Sequence, residues 1–100
     1  MKLTTAQREH MIRAIVHNIN DWQVSEEYSF GSELDIVWSS KDEAYQMIPA
    51  KGKKSWATPR DIVSWIEDLS DAALLEGYCE QEYITVEEFA EHIADEMENA

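Results

Sequence analysis

The first part of the chain has the residue spacing of an amphipathic helix. Thr4 and Gln7 have the spacing of a capping box, in which each side chain satisfies a backbone N–H group of the first turn. The pattern predicts a helix over about residues 5–19, and the polar residues that follow it end the pattern. The apolar positions recur at i, i+1, i+4, i+5 and i+8, and therefore lie on one helix face: Met11, Ile12, Ile15, Val16 and Ile19.

Residues 22–50 change to shorter apolar segments. Three segments rich in β-branched or aromatic residues, at 24–30, 34–38 and 44–48, are separated by the pair Gly31-Ser32 and by a polar run. Short apolar segments bounded by turn residues predict strands. We expect a β-hairpin or a three-stranded meander here.

The third of these segments allows a second interpretation. Ser40 has the position of an N-cap and Glu43 that of the third helical residue, so residues 41–48 would form a short helix ending before Pro49. Both interpretations stay open, with strands as the first choice.

A further helix is predicted to begin after Thr58. Pro59 then occupies the first helical position, and Asp61 lies in the first turn. The preceding residues 50–55 include three lysines and predict an exposed loop. The residues expected to face the core are Ile62, Val63, Trp65, Ile66 and Leu69.

Two more helices are predicted in the last thirty residues. Ser70 can cap a short helix with Gly77 near its end, and Thr85 and Glu88 form a second capping box. The apolar stripe after Thr85 makes the last helix the most regular one in the chain. The stripe of the shorter helix is Ala72, Ala73, Leu74, Leu75 and Tyr78, and that of the last is Val86, Phe89, Ala90, Ile93, Ala94 and Met97.

These elements predict an α+β fold over residues 1–100 as one domain, with a mainly α fold as the alternative. The chain is 44% hydrophobic and contains four Trp, four Tyr and two Phe, too many for a disordered acidic segment. No apolar run approaches the roughly 18 residues of a membrane span. A polar start, without the pattern of a signal peptide, and a single cysteine favour the cytoplasm.

The charges are divided unevenly along the chain. All eight Lys and Arg residues lie within residues 2–60, where eight acidic residues balance them. The other 13 of the 21 acidic residues lie in residues 61–100, so this segment accounts for the whole net charge of −13. Because like charges destabilise a compact state by self-repulsion, this asymmetry points to a cationic partner.

The predicted helices present these carboxylates as a surface. In the last helix, six acidic residues within 12 positions span about 18 Å, or one charge per about 3 Å. One strand of duplex DNA carries a phosphate per about 3.4 Å of axis. The predicted partner-binding residues are Glu67, Asp68, Asp71, Glu76, Glu80, Glu82, Glu87, Glu88, Glu91, Asp95, Glu96 and Glu98.

In size, acidity and helix-borne carboxylates, residues 61–98 resemble the small acidic DNA-mimic proteins of phages and mobile elements. That resemblance implies a non-catalytic inhibitor of a basic nucleic-acid-binding protein or complex, as in the blocking of restriction enzymes, CRISPR effectors or nucleoid proteins. One alternative is an acidic adaptor or immunity-type protein that binds one basic protein partner, and another is a domain whose charge only confers solubility. Direct binding to nucleic acid or to an anionic membrane is not expected, because both are polyanions.

Candidate chemistry is sparse. The acidic segment lacks the ligand spacing of an EF-hand loop, and the three histidines do not form a zinc-binding H-E-x-x-H motif, so neither a metal nor another cofactor is expected. Cys79 is interpreted as a packed residue rather than a nucleophile, and the loop with Lys51, Lys53 and Lys54 as a solvated one. Trp65 is expected in the core, whereas the other tryptophans could either pack or anchor an interface.

Overall fold

The computed structural model describes residues 2–19 and 27–98, without the side chains of Pro59 and Glu98. Helix α1 spans Thr5–His17, and both halves of the predicted capping box are present. Thr4 Oγ1 accepts a hydrogen bond from Gln7 N at 3.1 Å, and Gln7 Oε1 accepts one from Thr4 N at 2.9 Å. The predicted apolar face of this helix is confirmed as well, because Met11 and Ile15 are fully buried.

The middle of the chain forms a four-stranded antiparallel sheet in the order β1-β2-β3-β4. The strands are β1 Glu27–Phe30, β2 Leu34–Ser39, β3 Ala44–Pro49 and β4 Ser55–Ala57. Side chains alternate between the two faces of a sheet, and one face is buried by Tyr28, Phe30, Leu34, Ile36, Tyr45, Met47 and Ala57. The other face is half-buried or exposed, and it includes the exposed Trp56 of the edge strand.

The meander confirms the first choice for this region, and the alternative helix over residues 41–48 is wrong. Tyr45 and Met47 alternate with half-exposed neighbours and pair with Trp38 and Ile36 of β2, so a strand buries them and a polar turn precedes it. β4 was not predicted, because three residues are too few to show a periodicity. The predicted start of the first strand at Val24 lies outside the described residues.

Helix α2 spans Pro59–Glu67. Ile62 and Ile66 are fully buried and Leu69 nearly so, whereas Val63 and Trp65 are half-buried at the edge of the predicted stripe. The Thr58 hydroxyl donates to Asp61 Oδ2 at 2.9 Å and does not cap a backbone N–H group.

Helix α3 spans Asp71–Glu82, and Ser70 Oγ accepts the predicted capping bond from Ala73 N at 3.2 Å. The prediction that Gly77 lies near the helix end is wrong, because α3 continues for more than a turn beyond it. The helix ends at Tyr83, whose φ of 56° places it in the left-handed region. Gly77 instead packs directly against the ring of Phe30. Of the predicted stripe, Ala72 is exposed.

The last helix is not the regular one that its sequence predicts. It consists of α4 Val86–Glu88, a π-helical segment Phe89–Ile93 and α5 Ala94–Glu98. A π-helical turn holds one residue more than an α-helical turn and changes which side chains share a face. Of the predicted stripe, Phe89 and Met97 are buried, whereas Val86 and Ala90 are exposed. Thr85 Oγ1 does accept the predicted bond from Glu88 N, at 3.0 Å.

The architecture is α+β, with the helices gathered on the buried face of the sheet. α1 packs against α2, α3 and α5, while α3 also contacts β1 and α2 contacts β4. One cluster of buried residues joins the sheet to these helices, from Met11 of α1 through Phe30 of β1 to Leu74 of α3. This leaves the outer sides of α2–α5 free to carry the acidic residues.

Candidate functional site

The structure places ten of the twelve predicted partner-binding residues on the surface. Glu67 and Asp68 lie at the end of α2, three lie on α3, and five on the last helix. Asp71 is half-buried, and the side chain of Glu98 lies outside the described part. The ten exposed residues, here called the acidic surface, are Glu67, Asp68, Glu76, Glu80, Glu82, Glu87, Glu88, Glu91, Asp95 and Glu96.

Asp71 makes contacts within the fold. Its Oδ1 atom lies 2.6 Å from Nη1 of Arg8, and its Oδ2 accepts a hydrogen bond from Leu3 N at 3.0 Å. These two contacts, the backbone one first, hold the pKa of Asp71 below its usual value. Both partners are more than sixty residues away in sequence, so no local pattern could have distinguished Asp71 from its acidic neighbours.

Arg8 also neutralises the end of α2. Its Nη2 atom donates to the carbonyl oxygens of Glu67 at 3.1 Å and of Leu69 at 2.9 Å. Unsatisfied carbonyls at a helix C-terminus carry partial negative charge, which a cation relieves. The acidic surface is therefore partly compensated at the α2–α3 junction.

Two carboxylates on α3 lie close to neighbouring parts of the fold. A Cβ atom placed on Gly31 would lie 2.6 Å from Oε2 of Glu76, so this carboxylate lies over the β1–β2 turn. Oε1 of Glu82 lies 3.5 Å from Nδ2 of Asn18, the residue that follows α1. Both carboxylates remain exposed to solvent.

The last helix carries the densest part of the acidic surface. The π-helical segment lies between Glu87 and Asp95, and Ala94 N donates to Phe89 O across five residues. The carboxylates therefore do not follow the even α-helical spacing assumed from the sequence. Glu91 lies 3.5 Å from Nε2 of His92, and both side chains are more than 70% exposed.

Glu33 is an acidic residue whose role the sequence did not reveal. Its carboxylate accepts hydrogen bonds from Ser70 N at 3.1 Å and from Ser70 Oγ. The side-chain bond, followed by the backbone bond, lowers the pKa of Glu33. Because Ser70 caps α3, Glu33 places negative charge at the helix N-terminus, where the macrodipole favours it.

The other candidate residues have ordinary surroundings. Cys79 is buried and burial raises its pKa, which confirms its interpretation as a packed residue. The three lysines of the 50–54 loop are exposed. Trp65 and Trp38 pack at the edge of the core, whereas Trp56 is 53% exposed.

Within residues 2–19 and 27–98, no three His, Cys, Asp or Glu side chains lie close enough together to hold a metal ion. None of the described helices combines the length and the apolar character needed to cross a membrane.

A groove between α1 and α2 borders the acidic surface. It encloses about 470 Å³, the size of a typical ligand or anchor pocket. Its apolar lining comes from Ile12 and Val16 of α1 and from Val63 of α2. Its polar lining residues are Glu9, Arg13, His17 and Glu67.

Comparisons of the sequence with protein-family models and with curated proteins, and of the structure with solved structures, found no match. The function is therefore inferred from the residues of this chain alone.

Proposed function

We propose that the protein is a non-catalytic inhibitor that binds a basic nucleic-acid-binding protein through the acidic surface. The observation that carries the proposal is the exposure of ten carboxylates between Glu67 and Glu96, in the segment 61–100 that contains no Lys or Arg. The five exposed carboxylates of the last helix bring negative charges close together, as the phosphates of a nucleic-acid backbone do. Such a surface competes with nucleic acid for the partner's phosphate-binding site.

The energetics of this surface favour a role in binding over one in stability. Like charges on neighbouring turns of a helix cost a few tenths of a kcal/mol each. Interspersed lysines would remove that cost and still keep the protein soluble. A basic partner gains from the negative charge of the acidic surface, because complementary potentials steer encounter and raise the association rate.

The competing proposal is an acidic adaptor that binds one basic protein without imitating nucleic acid. Competition separates the two, since duplex DNA of unrelated sequence displaces a mimic from the partner's nucleic-acid site. An adaptor that binds elsewhere on the partner stays bound. The partner is first recovered by pull-down from the native host and identified by mass spectrometry.

Two matched charge reversals test the proposal. Glu87→Lys with Glu91→Lys acts within the acidic surface, whereas Asp35→Lys with Glu43→Lys changes the net charge equally on the sheet side. We expect the first pair to weaken partner binding by at least about tenfold and the second to leave it nearly unchanged. Wild-type affinity should also fall steeply with salt, as phosphate contacts do.

The outcome that contradicts the proposal is equally specific. If the Glu87/Glu91 variant keeps its fold and binds the partner as tightly as the wild type, the acidic surface serves solubility only. Binding that survives the reversal and ignores salt would exclude both charge mimicry and the adaptor.

A further inference from the structure

Within residues 2–19 and 27–98, no helix or strand covers the apolar side chains of the groove between α1 and α2. Ile12 and Val16 lie one turn apart on α1, and Val63 faces them from α2. All three are half-buried, whereas Met11 and Ile15 of α1 and Ile62 and Ile66 of α2 are fully buried. Pockets of this kind hold the anchor residues that dominate protein interfaces.

The charges around the groove differ from one end to the other. Glu9 and Glu67 lie at one end, where Arg8 bonds the carbonyl of Glu67. Arg13 and His17 lie one and two turns further along α1. The acidic end of the groove continues into Asp68 and the rest of the acidic surface. A partner bound to the acidic surface would therefore also reach the acidic end of the groove.

We infer that this groove receives an amphipathic helix of the basic partner, with its apolar face on Ile12, Val16 and Val63 and its cations at the end formed by Glu9 and Glu67. The inference rests on the proposed function, because it takes the partner to be basic. An amphipathic helix supplies anchors at i, i+3, i+4 and i+7, which match a groove between two helices. Lysine or arginine beside those anchors pairs with carboxylates on both walls.

The charge of helices α2–α5 disfavours these helices of a second copy as the occupant. Helices α2–α5 bring 13 carboxylates and only one cation, Arg60, so docking them in the groove would place carboxylates against Glu9 and Glu67. Like charges facing each other at an interface oppose association. A partner helix whose basic residues lie at the Glu9 and Glu67 end meets no such penalty there.

Designed peptides test the inference without the native partner. One peptide of about five turns carries Leu at i, i+3, i+4 and i+7 with Lys elsewhere. A second peptide has Glu in place of Lys, and a third has the sequence of the first in scrambled order. We expect only the first to bind, with NMR shift changes centred on the methyl groups of Ile12, Val16 and Val63.

Variants of the protein locate the contact. Val63→Lys should weaken binding of the basic peptide at least tenfold, and Glu67→Lys should weaken it several-fold. Ile48→Lys, on the open sheet face, is the matched control and should leave binding unchanged. Val63→Ala, which removes apolar contact without adding charge, should weaken binding several-fold and guards against a folding defect in Val63→Lys. Melting curves check each fold.

The inference is overturned if the second (acidic) peptide or the third (scrambled) peptide binds as tightly as the first. It is also overturned if the protein dimerises in sedimentation experiments and Val63→Lys abolishes the dimer, because a second copy then fills the groove. The recovered partner separates the two proposals. If the Glu87→Lys/Glu91→Lys variant loses binding but Val63→Lys and Val63→Ala do not, the proposed function stands and the groove is not part of the interface. If only the Val63 variants lose binding, the groove is the binding site and the mimicry proposal is rejected.

Discussion

The guanidinium of Arg8 lies 2.6 Å from the carboxylate of Asp71, and this pair joins the first helix to the start of the third. Arg8 belongs to the electrically neutral part of the chain and Asp71 to its acidic part. The same guanidinium bonds the carbonyls of Glu67 and Leu69. One cation therefore ties three helices together at the point where the acidic surface begins.

Removing the donors of Arg8 should destabilise the fold. Arg8→Met keeps the aliphatic stem but loses the hydrogen bonds to Glu67 O and Leu69 O. We expect the free energy of unfolding to fall by about 1–2 kcal/mol from these bonds alone. Arg60→Met, at an exposed position of α2, is the control and should change it by less than about 0.5 kcal/mol. Equal denaturation midpoints for the two variants would show that the hydrogen bonds of Arg8 do not contribute to stability.

Replacing Gly77 with alanine should destabilise the protein, against the usual trend. In a helix interior alanine is favoured over glycine by about 1 kcal/mol. Here the new Cβ atom would lie 2.5 Å from Cε1 of Phe30 and closer still to Cδ1. Overpacking of this kind costs about 1–3 kcal/mol. A smaller ring neighbour, as in Gly77→Ala with Phe30→Leu, should recover part of the loss, and chemical denaturation measures both. A stabilised single variant would contradict the packing.

The hydroxyl of Tyr45 should contribute measurably to stability. It donates to the carbonyl of Ile19 at 2.8 Å in the buried interior, linking the sheet to the end of the first helical segment. Tyr45→Phe leaves that carbonyl without this donor, so we expect a loss of about 1–2 kcal/mol. Tyr83→Phe, at a residue that is 86% exposed, provides the control and should be nearly neutral. Indistinguishable melting temperatures for the two variants would refute the prediction.

Acid should remove the stability that Glu33 and Asp71 supply. Both carboxyls have a lowered pKa, Glu33 through its bonds from Ser70 and Asp71 through those from Leu3 and Arg8. A lowered folded pKa means that the stabilisation is complete above the unfolded values of 4.5 and 3.8 and is lost as the pH falls through the folded values. The double variant Glu33→Gln with Asp71→Asn should thus melt below the wild type at pH 7.

The pH dependence of that difference is the decisive measurement. The gap in melting temperature between the wild type and the double variant should shrink as the pH is lowered below about 4.5. Comparing the two proteins cancels the effect of the acidic surface, which both retain. A gap that stays constant down to pH 2 would show that the two carboxyls act through their shape and not through their charge.

The apolar periodicity of the chain was sufficient to predict most of the elements. Met11 and Ile15 at i, i+4 predicted the buried face of α1, and Thr4 with Gln7 predicted its start. Tyr45 and Met47 alternate as a strand requires. These features are local, since a helix or strand repeats every few residues and its cap lies within one turn. The exposure of the ten acidic residues followed in the same way, as they are the positions left outside the stripes.

Tertiary structure alone decided which residues depart from these patterns. Asp71 looks like any other acidic residue until folding brings Arg8 and Leu3 beside it. Gly77 looks like a helix end, yet it is the point where α3 approaches the ring of Phe30. The last helix takes a π-helical turn, and Val86 and Ala90 of its predicted apolar stripe are exposed. In each case the deciding contact joins residues far apart in sequence or depends on the fit of a helix against the core, and a local pattern carries no information about either.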